Sequence, residues 1–387
     1  MTHVVVLGAG YAGLTTALRL GRGQRVTIVD TAADFTERIR LHEYVAGRPS
    51  VSIPLTEFTK GRDIATVRDT VTAIDPERRT VHTGGGREIT YDILVYALGS
   101  RTDTRTPGVA EHAFTVENAS ELRERVRAGA GSVAVVGGGL TGIEMAAELA
   151  EAYPGRGVEL VTADAPGDRL SVKGKEYLRA ALERLGVTVR PGVRVSHVDE
   201  GMLRTDKGDI TAEVIVWAAS FAVSALAAEA GLDVDDRGRI RVDDTLRSLS
   251  HPDVYAVGDA AAVHVPGVGE LRMSCASGMP VGAHAADAIT ARAAGREPAQ
   301  LNFRYFIQCV SLGRRAGLIQ AVRADDSPKE WVLRGRAGAF VKEQICRSTV
   351  SSLRLLRRTR HGYWWPKRRT RSAVPSAPTG SSSTSSR

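Results

Sequence analysis

The stretch that decides the fold is Val4-Val5-Val6-Leu7-Gly8-Ala9-Gly10-Tyr11-Ala12-Gly13, followed by an apolar helical pattern over Leu14–Gly21. An apolar run, a loop with glycines at its first, third and sixth positions, and a helix read in that order as strand, tight turn and helix. Gly8 permits the turn. Gly10 lets backbone approach a pyrophosphate, and Gly13 lets helix and strand pack closely. Ala9, Tyr11 and Ala12 complete a loop whose N–H groups, with the helix dipole behind them, favour phosphate. The next strand, Arg25–Val29, ends at Asp30, where a carboxylate can accept from ribose hydroxyls.

The pattern then restarts. Ser132–Val136 reads as a strand, Gly137-Gly138-Gly139-Leu140-Thr141-Gly142 as a second glycine loop, Gly142–Ala152 as its helix and Val158–Val161 as the next strand. This unit ends at Thr162, where the first has Asp30. An acid there would grip an adenosine ribose and repel a 2′-phosphate, so Thr162 leaves both NADH and NADPH open. Asp164 and Arg169 lie just beyond. Leu178–Leu185 reads as helical, and Val187–Val189 and Val214–Ala218 as strands. Two βαβ units opened by equivalent loops predict an α/β protein with two Rossmann-like, three-layer dinucleotide-binding domains. The first domain takes residues 1–108 and 245–300, and the second takes 109–244. A smaller C-terminal region covers 301–371, and a Ser/Pro/Thr-rich tail at 372–387 is expected to be disordered.

Composition narrows the class. The chain has 387 residues, 43% hydrophobic and 25% charged, which suits a protein of two or three domains with sizeable cores. The sequence shows no signal peptide and no apolar run long enough to span a bilayer, so a cytoplasmic location is expected. Cys275, Cys309 and Cys346 are dispersed, with no C-x-x-C pair, which argues against a disulfide framework and a dithiol centre. The net charge of +8 is concentrated late: from Arg334 onward 13 Lys+Arg face one acid, Glu343, so the first 333 residues are net acidic. Nucleic-acid binding is therefore not expected of the body of the protein.

Further along, Tyr91-Asp92-Ile93-Leu94-Val95-Tyr96-Ala97-Leu98-Gly99-Ser100 and Val254-Tyr255-Ala256-Val257-Gly258-Asp259-Ala260 complete the set of motifs. In this order the four resemble the FAD-dependent pyridine nucleotide oxidoreductases with two dinucleotide folds. The chain is most similar to the type II NADH dehydrogenase-like and apoptosis-inducing-factor-like branch, which lacks redox-active cysteines. The resemblance covers about residues 3–335. It implies FAD as cofactor and NADH or NADPH as electron donor. Asp259, beside Gly258, would bond the ribityl chain and phosphate of FAD, Val71 would meet the adenine through its backbone, and Ala97 and Gly99 would lie in the crossover beside the cofactor. A helix starting at Pro280 would aim its N-terminus at the flavin pyrimidine edge, where its dipole favours negative charge. Glu144 would sit near nicotinamide and flavin in a catalytic role; a carboxylate favoured by the helix dipole is the plainer reading.

Departures from the family pattern matter too. Glu37-Arg38-Ile39-Arg40-Leu41-His42-Glu43 has no cysteine where the disulfide reductases carry theirs. Arg40 and His42 either face FAD or lie on a helix surface. Ser274–Pro280 has no Gln where quinone-reducing members carry Ala-Gln-x-Ala-x-Gln.

The stretch Gly338–Arg358 reads as an amphipathic helix, with Phe340, Val341, Ile345, Val350, Leu353 and Leu356 on one stripe. With the aromatic and basic residues after it, the 338–371 region is either an anchor to an anionic membrane surface or a helix packed on the protein's own body or a homodimer partner. The expected function is hydride transfer from NAD(P)H to FAD, then electron transfer to a quinone-like small molecule. A ferredoxin-type carrier, a biosynthetic intermediate, or a slow-turnover role in partner or membrane binding are the alternatives.

Overall fold

The computed structural model describes residues 1–20, 23–359 and 362–368. The tail at 372–387 and residues 369–371 of the basic cluster lie outside the described residues. In chain order, the elements that position the site begin with β1 (His3–Leu7), α1 (Tyr11–Leu20), β2 (Arg25–Asp30), α2 (Leu41–Val45), α3 (Leu55–Thr59), β3 (Ile64–Arg68) and β4 (Ile93–Tyr96). Next come β5 (Val133–Val136), α4 (Leu140–Ala152), β6 (Val158–Thr162), α5 (Val172–Arg184), β7 (Thr188–Pro191) and β8 (Val214–Trp217). The last are β9 (Val254–Ala256), α6 (Cys275–Ala293), β10 (Ile307–Ser311), β11 (Gly317–Val322), β12 (Pro328–Arg334) and α7 (Gly335–Arg358).

Two parallel sheets carry the glycine loops. The first has the order β9-β4-β1-β2-β3 and the second the order β7-β6-β5-β8. Their central strands β1 and β5 are buried apart from His3, as expected where helices cover both faces. The chain passes between the sheets through Arg101–Thr102 and returns through Phe221–Ala222, and these two crossings pair antiparallel. Leu226, Ala227, Leu232 and Ile240 already pack in the first core, so the return precedes the boundary expected at 245. The antiparallel sheet β10-β11-β12 places Val310, Leu312 and Leu318 in the second core.

Several helices start earlier than their apolar patterns suggest. α1 begins inside the glycine loop, with the Leu14 N–H donating to the Gly10 carbonyl at 2.9 Å. α5 begins at Val172 because the Ser171 hydroxyl accepts from the Gly174 N–H. α6 begins at Cys275, so Pro280 is not its first residue but lies in its second turn, an interior position. The close packing of α6 on α1 is set at Gly282, where a Cβ would strike the Ala12 carbonyl and where Thr16 Oγ1 donates to the Gly282 carbonyl at 2.9 Å.

The C-terminal helix is part of the body. Val350, Leu353 and Leu356 of α7 are buried in the first core, where the helix lies against α1 and α3. These residues of the amphipathic stripe are therefore unavailable to a membrane, which corrects the anchor reading for them: the protein's own core takes that face. Phe340 and Leu355 stay exposed. Beyond the helix, Trp365 is buried and its indole N–H donates to the Asn302 carbonyl at 2.9 Å. Among the described residues no helix is long and apolar enough to cross a membrane.

Candidate functional site

One cleft of about 2140 Å³ runs between the two sheets and is lined by both glycine loops. The loops are built alike. Gly8 (φ 97°) donates its N–H to the Val29 carbonyl at 2.8 Å, and Gly137 (φ 129°) donates to the Val161 carbonyl at 2.9 Å. A Cβ on Gly13 would strike the Gly8 carbonyl, and one on Gly142 would strike the Gly137 carbonyl. These glycines serve the fold; Gly8 also lines the cleft, whereas Gly13, Gly137 and Gly142 do not. Gly10 and Gly139 differ: a Cβ on either meets nothing within 4 Å. Both line the cleft, so the space a side chain would take is kept for a ligand. Two such cradles at one cleft fit two dinucleotides.

Around the first loop, Asp30 accepts the Ala9 N–H at 2.6 Å and the Ala32 N–H at 2.8 Å, and it lines the cleft with Ala9, Tyr11, Ala12, Val71, Ala97 and Gly99. Asp259 lies on the turn Gly258–Ala260, accepts from Ser100 Oγ at 2.7 Å and is pushed up in pKa by burial. Pro280 lines the cleft although α6 starts before it; Ser274, Cys275, Ala276, Gly278 and Met279 line it too, so the first two turns of α6 meet the cleft.

Around the second loop, Leu140, Thr141 and Glu144 line the cleft, but Thr162 does not. Its side chain is buried and its hydroxyl donates to the Asp164 carbonyl. In the turn that follows, Gly167, Asp168 and Arg169 line the cleft.

Arg40 also stands elsewhere than expected. It is 1% exposed, lies off the cleft lining and pairs with Glu37 at 3.2 Å, Glu43 at 2.9 Å and Glu343 of α7 at 2.7 Å. A guanidinium held by three carboxylates is a structural clasp, so the FAD-facing reading is corrected. Its neighbours Arg38 and His42 do line the cleft.

The charge at the centre comes from three distant segments. Glu144 of α4 is buried, accepts Lys342 Nζ of α7 at 2.8 Å and the Ser311 N–H of β10 at 2.9 Å, and lies 3.8 Å from His42 Nδ1. Burial pushes the Glu144 carboxyl up, but Lys342, His42 and the Ser311 N–H more than reverse this and hold it below the usual glutamate value. Burial pulls the Lys342 ammonium down, but Cys309 and Glu144 leave it well above the usual lysine value. Burial lowers His42, whose Nε2 has no partner among the described residues. The site thus holds a fixed carboxylate–ammonium pair beside a neutral imidazole.

The thiols, dispersed in sequence, converge here. Burial raises Cys275 to about 11 and Cys346 to about 12, with Cys309 acting on both. Lys342 was not singled out in the sequence; its sole signal there was a lysine on the apolar side of an amphipathic helix.

A cleft with two phosphate cradles and a buried charge pair between them is that of a flavin-dependent reductase that takes electrons from a nicotinamide. The chain belongs to the pyridine nucleotide-disulphide oxidoreductase family, whose model matches residues 2–288. It is an NAD(P)H oxidoreductase that uses FAD. It is 34% identical over 321 residues to an NADH dehydrogenase-like protein of Mycobacterium tuberculosis, covering 74% of this chain and 79% of that one. It is 26% identical over 332 residues to the type II NADH:quinone oxidoreductase of Haemophilus influenzae, covering 68% and 74%. In structure it is similar to NDH2 from Plasmodium falciparum in complex with NADH, with a TM-score of 0.79 at 14% identity over 93% of this chain and 97% of that one.

Proposed function

We propose that the protein is an NAD(P)H:quinone oxidoreductase. The observation that carries this is the junction of Gly10 and Gly139, the two open cradles, on one cleft. Bound FAD would supply the two-electron chemistry between nicotinamide and acceptor. The loop after β1, with Asp30, Ser100 and Asp259, would hold it. The loop after β5 would hold the nicotinamide nucleotide, with Arg169 beside the adenosine end.

The protein's own residues then set the field. Lys342 places a buried positive charge at the cleft, and Glu144 balances and orients it. Such preorganised charge is worth more there than in water. His42, kept neutral by burial, can donate or accept at Nε2 without adding net charge. The quinone acceptor agrees with what the Haemophilus influenzae relative is named for, and with the "Demethylphylloquinone reductase NdbB" of Synechocystis, 26% identical over 298 residues.

The test is NADH and NADPH oxidation by the FAD-loaded protein with menadione as acceptor. Fast menadione-dependent turnover is expected. Flavin that is bleached by NAD(P)H yet not reoxidised by menadione would overturn the quinone reading.

A further inference from the structure

The strands β4 and β8 occupy the same place in the two units. Tyr96 of β4 stands opposite Leu7, the residue before the first glycine loop, and Trp217 of β8 stands opposite Val136, the residue before the second. The Ala97 N–H donates to the Leu7 carbonyl at 2.9 Å, and the Ala218 N–H donates to the Val136 carbonyl at 2.8 Å. A Cβ on Gly8 would strike the Ala97 carbonyl, and one on Gly137 would strike the Ala218 carbonyl. Two residues beyond these anchors, Gly99 and Ser220 are therefore equivalent. Their backbones agree, with φ of 63° at Gly99 and 59° at Ser220.

That conformation suits glycine and strains a residue that carries a Cβ. Among the described residues Arg79, Ser220, Leu246 and Asp326 adopt a positive φ without being glycine, and of these Ser220 alone lines the cleft. A Cβ at Gly99 would meet nothing within 4 Å, so the first unit keeps this position open. The second unit fills it with a hydroxymethyl group. Ser220 is exposed, and its hydroxyl makes no hydrogen bond among the described residues. Its carbonyl accepts the Asp103 N–H at 3.3 Å, a backbone contact that glycine would make equally well. The fold itself thus gains nothing from the side chain that strains it. A backbone outlier on a cleft wall, with a free donor on it, points to a ligand.

The sheet order says which part of the ligand. The second sheet runs β7-β6-β5-β8, so β6 and β8 flank β5 on opposite sides. A dinucleotide on the loop after β5 turns its adenosine toward the end of β6 and its other half toward β8. Arg169 follows β6, and Ser220 follows β8. We propose that Ser220 donates a hydrogen bond to a ribose or phosphate oxygen in the nicotinamide half of NAD(P)H, and that its left-handed backbone is kept for that contact. This rests on the reading above that the loop after β5 holds the nicotinamide nucleotide.

The test is titration calorimetry on the oxidised, FAD-loaded, full-length protein, with NAD+, ADP-ribose, ADP and AMP as probes. Oxidised flavin does not react with NAD+, so binding is read without turnover. Ser220→Ala loses the hydroxyl and keeps the Cβ, whereas Ser220→Gly loses the hydroxyl and the strain. Each should weaken NAD+ and ADP-ribose by about tenfold, the size of one hydrogen bond, and leave AMP unchanged. ADP weakened with them assigns the phosphate, and ADP unchanged assigns the ribose. Ser220→Gly should also unfold at a higher urea concentration than Ser220→Ala. NAD+ bound by Ser220→Ala as tightly as by wild type would overturn the contact. So would a loss shared by AMP, or one confined to NAD+ with ADP-ribose unaffected. Equal urea midpoints for the two variants would overturn the strained backbone as part of the device. Gly139→Val is the control for the seat itself. If it binds NAD+ as wild type does, the nucleotide reading of the second loop falls; if it loses NAD+ while Ser220→Ala does not, the Ser220 contact alone falls.

Discussion

Lys342 Nζ and Glu144 Oε1 lie 2.8 Å apart, although 198 residues separate them in the chain. The pair joins the C-terminal helix to the first turns of the helix after the second glycine loop, and both partners line the cleft. Removing one partner leaves the other buried and uncompensated, which costs about 3–5 kcal/mol. Lys342→Met and Glu144→Gln should each lower the denaturation midpoint of the FAD-loaded protein by that order. The double variant should recover a large part of the loss. Additive losses in urea titrations would show that the two charges do not act as a pair.

Gly10→Val and Gly139→Val separate the two nucleotide sites. Each side chain enters open space, so both proteins should fold. Gly10→Val should purify with little flavin, read from its absorbance. Gly139→Val should keep its flavin and reduce it poorly at any NAD(P)H concentration reached. Full flavin occupancy in Gly10→Val would remove FAD from the first loop.

Arg169 should bear on the choice of donor. It lines the cleft on the turn after β6, where no acid replaces Thr162. A charge-assisted bond to a 2′-phosphate contributes roughly 1.5–3 kcal/mol. Arg169→Ala should therefore raise the KM for NADPH by at least about tenfold and change that for NADH little. Equal effects on both donors would place Arg169 away from the 2′ position.

Glu343 gives a pH signature. Burial pushes its carboxyl up, but Arg40 and Arg347 reverse this and hold it at about 2. A carboxyl depressed on folding stabilises above its unfolded pKa of about 4.3, and loses that contribution as pH falls toward the folded value. The group is partly exposed, so screening holds the effect near 1 kcal/mol. Glu343→Gln should lower stability at pH 7, and the gap to wild type should close between about pH 4.3 and 2. A gap that persists unchanged at pH 2 would assign the effect to packing.

Leu353 tests the C-terminal helix as core. It is fully buried beside α1 and α3. Leu353→Ala should cost about 2–5 kcal/mol. A thermal midpoint within a degree or so of wild type would mean that the helix docks loosely.

The glycine loops were legible because their geometry is local. A strand, a positive-φ turn and a helix that must approach a carbonyl closely all fall within one short stretch, so Gly8, Gly13, Gly137 and Gly142 announce themselves. The centre of the site was not legible, because its contacts are long-range. Arg40 read as a cofactor ligand since Glu343, which completes its clasp, lies 303 residues away. The start of α6 was misread through Pro280, because proline favours a first turn yet here sits in the second. Thr162 was placed by analogy with Asp30, and nothing in its neighbours shows that its hydroxyl turns back to Asp164.

The distance from Glu144 to Lys342 also sets a schedule for synthesis. At roughly 5–20 residues per second a ribosome takes about 10–40 s to add the residues between them. Throughout that interval the nascent second sheet carries a carboxylate whose counter-ion has not yet been made. The glycine loop beside it is complete, so nucleotide could dock before the cleft has its charge. The growing chain therefore completes the charge pattern of its cleft only when the last helix has been made.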